Sequence, residues 1–306
     1  MTLQQLLDQG TEQLSRAGVP DAQLDARYLL LEAFGLGLAS FLADRGRAVE
    51  KIPDGEEKAA AYRALTGKRA LRIPLQQLLG VQEFMGLGFF VNEHVLIPRQ
   101  DTETLVELVL EEQRERDLEL LDVCTGSGCI AVSLARLGGY GKVTALDVSE
   151  KALKVAEKNA AALLADWDGE FRLLLSDMFS ALEPGQQFDV LVSNPPYIPS
   201  GVIPGLEPEV RDHEPRLALD GSPDGLKFYR ILAAEGKRRL RPGGALYLEI
   251  GWDQAQSVSA LLEQEGFQEI RTVKDMAGMD RVVRALRPGC GEERAARRMI
   301  GESGRP

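Results

Sequence analysis

The sequence is poor in the residues from which metal sites and disulfides are built. Its 306 residues contain 3 cysteines and 2 histidines, and the cysteines lack the paired spacing of a structural zinc site. So few thiols in a chain of this length indicate a reducing, cytoplasmic compartment. No apolar stretch approaches the roughly 20 residues of a membrane-spanning helix, and the amino terminus does not resemble a signal peptide. We therefore expect a cytoplasmic protein with no metal and no membrane partner.

Basic residues are in the minority. The chain has 36 Lys and Arg against 47 Asp and Glu, a formal net charge of -11 at pH 7. Proteins that bind a nucleic-acid backbone usually carry a basic face, so we expect no stable binding of nucleic acid. The 44% hydrophobic and 27% charged residues are typical of a globular protein. A chain of this length suits one large domain and a smaller one.

The hydrophobic pattern divides the chain into four parts. Residues 1–80 have leucines at helical spacing, among them Leu3, Leu6, Leu7 and Leu14, and predict a helical bundle. Residues 81–98 are rich in aromatic and β-branched side chains and predict a β-hairpin linker. Residues 99–286 alternate between strand and helix patterns. Residues 287–306 lack a period and are interpreted as a flexible tail.

The third part predicts a mostly parallel sheet with helices on both faces. Strands are predicted at residues 118–123, 142–148, 171–176, 188–193 and 245–250, and an antiparallel hairpin at 269–274 and 281–286. Helices are predicted at residues 102–115, 129–137, 149–165 and 224–240. The fold class is therefore α/β with a small amino-terminal helical domain.

A glycine loop at residues 122–128 follows the first of these strands. Its glycines allow a tight turn and close approach to a ligand, and the next helix presents free N–H groups. About twenty residues later, the second strand ends at Asp147, which is placed to accept hydrogen bonds from ribose hydroxyls. The combination predicts an adenosine-containing ligand at the carboxyl edge of the sheet.

The loop alone leaves two cofactors open. Gly126, Gly128 and Ala131 also match the dinucleotide fingerprint, so a nicotinamide cofactor fits. Asp122 favours S-adenosylmethionine, because a carboxylate there can hold the amino group of the methionine moiety. An oxidoreductase would also leave the next motif unexplained.

Residues 194–197 read Asn-Pro-Pro-Tyr and follow the predicted strand 188–193 directly. Neither proline has an N–H for a strand ladder, so the strand must end beside the proposed ligand. An amide nitrogen is a poor nucleophile because its lone pair is delocalised. The Asn194 side-chain oxygen and the Pro195 carbonyl can accept both of its N–H groups, orient the lone pair and stabilise developing positive charge. Tyr197 can stack on a planar substrate group.

Four segments make the sequence resemble the release factor glutamine methyltransferases (PrmC/HemK) over nearly its whole length. They are residues 96–103, the loop at 122–128, residues 193–198 and residues 214–221. The Asn-Pro-Pro-Tyr motif alone is shared with adenine-amino DNA methyltransferases and with other glutamine and guanine methyltransferases. Pro98-Arg99 and Glu214-Pro215-Arg216 narrow the choice.

The resemblance implies a class I, Rossmann-like fold with a mostly parallel seven-stranded sheet. It also implies S-adenosylmethionine as methyl donor, with S-adenosylhomocysteine as product. The implied substrate is the glutamine of the Gly-Gly-Gln tip of class 1 release factors, release factors 1 and 2, recognised by the helical domain. A ribosomal-protein glutamine, or a nucleic-acid amino group despite the acidic charge, is the alternative substrate of the same pocket.

The resemblance also assigns residues to roles. The implied cofactor-binding residues are Arg99, Asp122, Cys124, Thr125, Gly126, Ser127, Gly128, Asp147, Asp177, Met178 and Asn194. Asn194, Pro195, Pro196 and Tyr197 would bind the substrate, and Asn194, Pro195 and Tyr197 would act in catalysis. Cys124 stands where the family commonly has glycine, so we expect that its backbone needs no positive φ. His94 is interpreted as a surface residue.

Overall fold

The structure is a computed structural model that describes residues 1–289, and these form two compact units. The helical unit comprises Met1–Val81, Val91–Glu93 and Leu206–Glu214. The sheet unit comprises Gln82–Phe90, His94–Gly205 and the chain from Pro215 onward. Within residues 1–289 no single helix is long and apolar enough to cross a membrane, although one helix pair, bent by 91°, meets the length and composition criteria.

Five helices form most of the helical unit. They are α1 (Leu3–Arg16), α2 (Ala22–Phe34), α3 (Leu38–Asp44), α4 (Gly55–Ala70) and α5 (Leu75–Leu79). Helix α1 begins with a capping box, in which Thr2 and Gln5 each accept a hydrogen bond from the other's backbone N–H. The predicted leucines of α1 are buried together with Leu29, Leu30 and Tyr62. Burial of each such side chain stabilises the fold by about 1.5–3 kcal/mol.

A buried ion cluster holds the segment Leu206–Glu214 within the helical unit. Arg72 binds Glu209 with two hydrogen bonds of 2.6 Å. Arg69 Nη1 lies 2.8 Å from the same carboxylate, and Arg69 Nε donates to Asp25 at 2.7 Å. This segment follows the Asn-Pro-Pro-Tyr motif by eight residues, yet it belongs to the helical unit.

We expect this cluster to make stability depend on pH between about 4.5 and 2. Burial alone would raise the pKa of Glu209, but hydrogen bonds from Arg72 and Arg69 outweigh it and lower the pKa from 4.5 to about 2. Because the folded-state pKa is lowered, the stabilisation is fully present above the unfolded value and is lost as the pH falls through the folded value. Glu209→Gln should lower the free energy of unfolding at pH 7 by about 3 kcal/mol.

Acid unfolding followed by circular dichroism would test this expectation. The difference in stability between the native and Glu209→Gln proteins should shrink between pH 4.5 and 2. Glu12→Gln is the matched control, because Glu12 pairs with Arg16 on an exposed surface of the same unit. A constant difference across this pH range would show that the ion cluster is not the source.

The described part of the sheet unit, up to residue 289, contains nine strands in two sheets. Strands β1 (Val81–Phe84) and β2 (Leu87–Phe90) form a two-stranded sheet. The other strands are β3 (Glu119–Val123), β4 (Lys142–Asp147), β5 (Glu170–Leu175), β6 (Phe188–Ser193), β7 (Leu240–Glu249), β8 (Gln268–Lys274) and β9 (Asp280–Leu286). They form one sheet in the order β5-β4-β3-β6-β7-β9-β8. The first five are parallel, and β9 pairs antiparallel with β7 and β8. The predicted α/β, Rossmann-like fold is confirmed.

Within residues 1–289, seven α-helices follow residue 100; the one at Pro208–His213 belongs to the helical unit, and the others accompany the strands. They are α6 (Glu103–Glu112), α7 (Cys129–Ser133), α8 (Glu150–Leu163), α9 (Pro208–His213), α10 (Arg216–Leu219), α11 (Lys227–Arg239) and α12 (Ala255–Gln264). Ser149 caps α8 through a hydrogen bond from Ala152 N, as its residue type predicts. Central strands are buried on both faces, since β6 contributes Val190 and Val192 to one hydrophobic cluster and Leu191 to the other.

Several element bounds differ from the predictions: the predicted helix 102–115 ends at Glu112, and the predicted helix 129–137 becomes a π-helix from Leu134. Two further differences concern the large sheet and the tail. Strand β7 begins at Leu240 and not at Ala245, because a bulge opposite β6 absorbs residues between Leu240 and Ala245. The predicted tail is bonded at its start, where Arg287 N donates to Gly244 O at 2.9 Å and Arg287 O accepts from Gly243 N at 3.0 Å. The remaining tail residues, 290–306, lie outside the described residues.

Candidate active site

A cleft opens at the carboxyl ends of β3, β4 and β6, within the sheet unit. The strands that follow β3 in the chain lie on one side of it as far as β5 and on the other side from β6 onward, so the strand order reverses at β3. Open α/β sheets bind ligands at such a switch point. The space not filled by protein atoms is about 990 Å³, open solvent included. Ten of the residues assigned from the sequence line it: Arg99, Cys124, Thr125, Gly126, Ser127, Asp147, Asp177, Met178, Asn194 and Pro196.

The glycine loop is braced by Asp147 at the end of β4. One carboxylate oxygen accepts from Gly126 N and the other from Ser149 N, both at 2.8 Å. Burial raises the pKa of Asp147 above its usual value, and these backbone hydrogen bonds offset only part of that rise. Gly128 lies behind the cleft wall, where an added Cβ would be 3.1 Å from the Ala156 Cβ. The loop therefore needs glycine at 128 both for helix packing and for its φ of 80°.

The expectation for Cys124 was wrong. Its φ is 64°, in the left-handed region that glycine prefers. The chain leaves β3 at this residue and turns so that Thr125 N donates to Leu146 O at 2.9 Å. A side chain in this conformation costs on the order of 1–2 kcal/mol, and the hydrogen bonds of the loop maintain it. Residue 124 therefore has a positive φ even though it is a cysteine, where the family commonly has glycine.

Asp122 is fully buried beneath the loop and is not part of the cleft lining. Its Oδ2 accepts a 2.6 Å hydrogen bond from the Thr125 hydroxyl. Its Oδ1 has no hydrogen-bond partner within residues 1–289. Burial, together with the charge of the nearby Asp147, raises the pKa of Asp122 to about 7, against hydrogen bonds from the Thr125 hydroxyl and the Ala131 backbone that lower it. An ammonium group of a bound ligand would supply the donor that Oδ1 lacks.

The opposite end of the cleft is bounded by Asp177 and Met178. Met178 is buried and has a φ of 49°. The Ser176 hydroxyl donates to the Met178 carbonyl at 2.7 Å and fixes this turn. An acidic edge beside an apolar wall matches the polar rim and flat face of an adenosyl group. Together with the Asp122 oxygen, these residues fit S-adenosylmethionine.

The Asn-Pro-Pro-Tyr segment contributes unevenly to the cleft. Asn194 and Pro196 line it, whereas Pro195 and Tyr197 do not. The Tyr197 ring packs against the hydrophobic cluster under the sheet, and burial, followed by the charge of Glu249, raises its pKa. Tyr197 is nonetheless only half-buried.

Residues 214–221, which carried the resemblance without an assigned role, pack against this motif. Ile198 N donates to Leu219 O at 3.0 Å, and Gly221 N donates to Ile198 O at 2.9 Å. An added Cβ at Gly221 would lie 2.8 Å from the Tyr197 Cα, so only glycine fits this approach.

Several cleft residues were not assigned from the sequence. They include His94, Leu96, Thr102, Pro215, Leu217 and Phe228. His94, interpreted from the sequence as a surface residue, is half-buried and lines the cleft. Apolar residues in loops carry no local signal of function, although the family segments at 96–103 and 214–221 could have indicated most of them. No group of three or more Cys, His, Asp or Glu within residues 1–289 is arranged to hold a metal ion.

A parallel sheet with a glycine loop, an acidic strand end and a cleft at the switch point defines the class of Rossmann-like, nucleoside-binding enzymes. Comparison with known proteins assigns the chain within this class. The Methyltransferase small domain family matches residues 99–202, and the PrmC N-terminal domain family matches residues 5–80. Of the two cofactors that the glycine loop left open, these matches indicate S-adenosylmethionine and not a nicotinamide cofactor, so the protein is a methyltransferase.

Curated relatives are similar over almost the full length. The chain is 40% identical to the release factor glutamine methyltransferase of Geobacter sulfurreducens, over 92% of this chain and 95% of that protein. It is 44% identical to that of Moorella thermoacetica, over 94% and 99%. A methyltransferase structure from Pyrococcus furiosus shares the fold, with a TM-score of 0.51 and 18% identity over 73% of this chain and 99% of that one. The chain belongs to the release factor glutamine methyltransferase family.

Proposed function

We propose that this protein transfers the methyl group of S-adenosylmethionine to the side-chain amide of the Gly-Gly-Gln glutamine in release factors 1 and 2, in the cytoplasm. The observation that carries this proposal is the position of Asn194. Its side chain reaches the same cleft that the glycine loop and Asp147 line, so an amide group and a methyl donor would meet there.

The proposed cofactor contacts follow the lining of the cleft. Cys124, Thr125, Gly126 and Ser127 would surround the methionine moiety, in a loop held by the bonds from Thr125 N to Leu146 O and from Gly126 N to Asp147. Asp147 would accept hydrogen bonds from the ribose through lone pairs left after it binds the loop, since each carboxylate oxygen can accept two. Asp177 and Met178 would lie against adenine. The bound cofactor supplies an electrophilic methyl group, and the protein supplies its orientation.

Gly128, Arg99 and Asp122 are proposed to act in different ways on this cofactor. Gly128 would act through the close packing of the loop on α8. Arg99 lines the cleft and would place a positive charge beside the carboxylate of the methionine moiety. Asp122 would receive the ammonium group through its unpaired Oδ1.

The proposed substrate contacts come from the Asn-Pro-Pro-Tyr segment. Asn194 Oδ1 and the Pro195 carbonyl would accept the two N–H groups of the substrate amide and direct its lone pair toward the methyl group. Pro196 would form the cleft wall beside the amide. The half-buried Tyr197 would stack on the planar amide group, and its carbonyl accepts from Gln254 Nε2 at 3.1 Å.

The helical unit, residues 1–80 above all, is the proposed recognition surface for the release factor. Four large apolar side chains of α2 and α3 are exposed there: Leu24, Tyr28, Leu38 and Leu42. Apolar patches of this kind mark protein-binding sites more often than isolated exposed residues do. The unit contributes no residue to the cleft lining described above, which separates recognition from chemistry.

The substrate assignment predicts a single modified residue. We expect incubation with purified release factor 1 or 2 and S-adenosylmethionine to add one methyl group to the tip glutamine peptide, detected by mass spectrometry. A release factor with the tip Gln→Glu change is the matched control and should stay unmodified, because a carboxylate offers no N–H to Asn194. Ribosomal proteins and DNA are tested in parallel. Methylation of only a ribosomal-protein glutamine, or only of adenine, would show that the proposed substrate is wrong. The assignment as a methyltransferase would still stand.

A further inference from the structure

Glu249 is a buried acidic residue beside the proposed substrate-binding asparagine. It ends β7, the parallel neighbour of β6, and the register pairs Ser193 with Leu248. Asn194 follows directly after the end of β6, and Glu249 is the last residue of β7. Glu249 is only 1% exposed, so its carboxyl group lies under the cleft wall and not in solvent.

The side chains of Asn194 and Thr102 are hydrogen-bonded to each other beside Glu249. Asn194 Nδ2 donates to Thr102 Oγ1 at 3.3 Å, and Thr102 is 2% exposed. Burial raises the pKa of Glu249 to about 7, against hydrogen bonds from the Thr102 and Asn194 side chains and the charge of Arg281, which lower it. Both side chains therefore lie close enough to the Glu249 carboxyl group to lower its pKa.

Counting donors and acceptors decides which way the asparagine amide faces. An asparagine side chain has two N–H donors on its nitrogen and one accepting oxygen, while an ionised carboxylate only accepts. With its nitrogen toward Thr102 and Glu249, Asn194 presents Oδ1 to the cleft. The reversed amide would place Oδ1 against the Glu249 carboxylate and would present N–H groups to a substrate that needs an acceptor.

The remaining contacts of Glu249 do not explain its burial as a structural ion pair. Arg281, the cation beside it, forms its ion pairs with Asp101 at 3.1 Å and Asp275 at 3.0 Å. Glu249 Oε2 is buried without a hydrogen-bond partner within residues 1–289. An unpaired buried carboxyl oxygen opposes folding, so a role outside stability is the expected reason for such a residue.

We propose that Glu249 is a positioning residue that, together with Thr102, holds the Asn194 amide with Oδ1 facing the substrate. The inference rests on the role proposed above for Asn194. Glu249 itself does not contact the reacting atoms. Its effect on methyl transfer passes entirely through the orientation of one side chain, and this distinguishes it from a residue that only supports the fold.

A double-mutant cycle on the full-length protein tests this dependence. Glu249→Ala should lower kcat for release factor methylation at least about tenfold, the effect of losing a hydrogen bond to a charged group. Affinity for S-adenosylmethionine, measured by calorimetry, should change less than about threefold. In the Asn194→Ala background, Glu249→Ala should change kcat by less than about twofold, because no amide remains to be oriented.

Two further variants separate positioning from folding. Glu249→Gln keeps an accepting oxygen for Asn194 Nδ2 and should recover most of kcat, with at most a small change in KM. Thr102→Val removes the hydrogen bond between Asn194 and the Thr102 hydroxyl without changing the side-chain shape. If Glu249→Ala does not fold, Thr102→Val takes its place in the double-mutant cycle and should lower kcat only when Asn194 is present.

Equal losses from Glu249→Ala in both backgrounds would overturn the inference, as would native activity of Glu249→Ala itself. A near-native kcat of Asn194→Ala would instead overturn the role proposed for Asn194. The two failures are therefore distinguishable in one set of measurements.

Discussion

Asn194→Ala is expected to lower the rate of methyl transfer by roughly 100- to 1,000-fold, the usual effect of removing one preorganised polar group at a reacting centre. Alanine removes the oxygen that would accept a substrate N–H and leaves the lone pair of the amide undirected. It also removes the N–H group that donates to the Thr102 hydroxyl. The loss should appear in kcat more than in KM, because the hydrogen bond strengthens as positive charge develops on the amide nitrogen.

Single-turnover methylation of release factor measures this effect directly. Affinity for S-adenosylmethionine should stay within a few-fold of the native value, since the glycine loop and Asp147 would provide the cofactor contacts. The same affinity measurement serves as the control for folding. Turnover within a few-fold of native would remove Asn194 from the catalytic group.

Asp147→Ala is expected to weaken binding of S-adenosylmethionine by about 1–3 kcal/mol, roughly 5- to 150-fold in dissociation constant. Two consequences add together. The ribose hydroxyls lose their acceptor, and the backbone N–H groups of Gly126 and Ser149 lose theirs. The sequence indicated only the first, whereas the structure shows that Asp147 also holds the loop in place.

Calorimetric titration with S-adenosylmethionine and with S-adenosylhomocysteine would measure the change. Glu150→Gln is the matched control: Glu150 begins α8 three residues after Asp147, is exposed and pairs with Lys154. The control should bind the cofactor as the native protein does. Native affinity of Asp147→Ala would exclude this carboxylate from the site.

The sequence by itself determined the fold and the place of the cleft. Strands that are buried on both faces read as continuous apolar runs, so β3 and β6 were predicted within one residue of their bounds. The two prolines after Ser193 ended β6 by a purely local rule, the missing N–H. Turns, helix caps and strand ends depend on residues that are close in the sequence, so they can be predicted from the sequence alone.

Only the tertiary structure decided which side chains meet. Glu249 lies beside Asn194 because β6 and β7 pair in one register, although 55 positions separate the two residues in the sequence. Leu206–Glu214 belongs to the helical unit because Arg69 and Arg72 bind Glu209. The positive φ of Cys124 and the partial burial of Tyr197 likewise follow from the surrounding packing. Strand register, side-chain direction and contacts between distant segments are set by the packed core, and no local pattern encodes them.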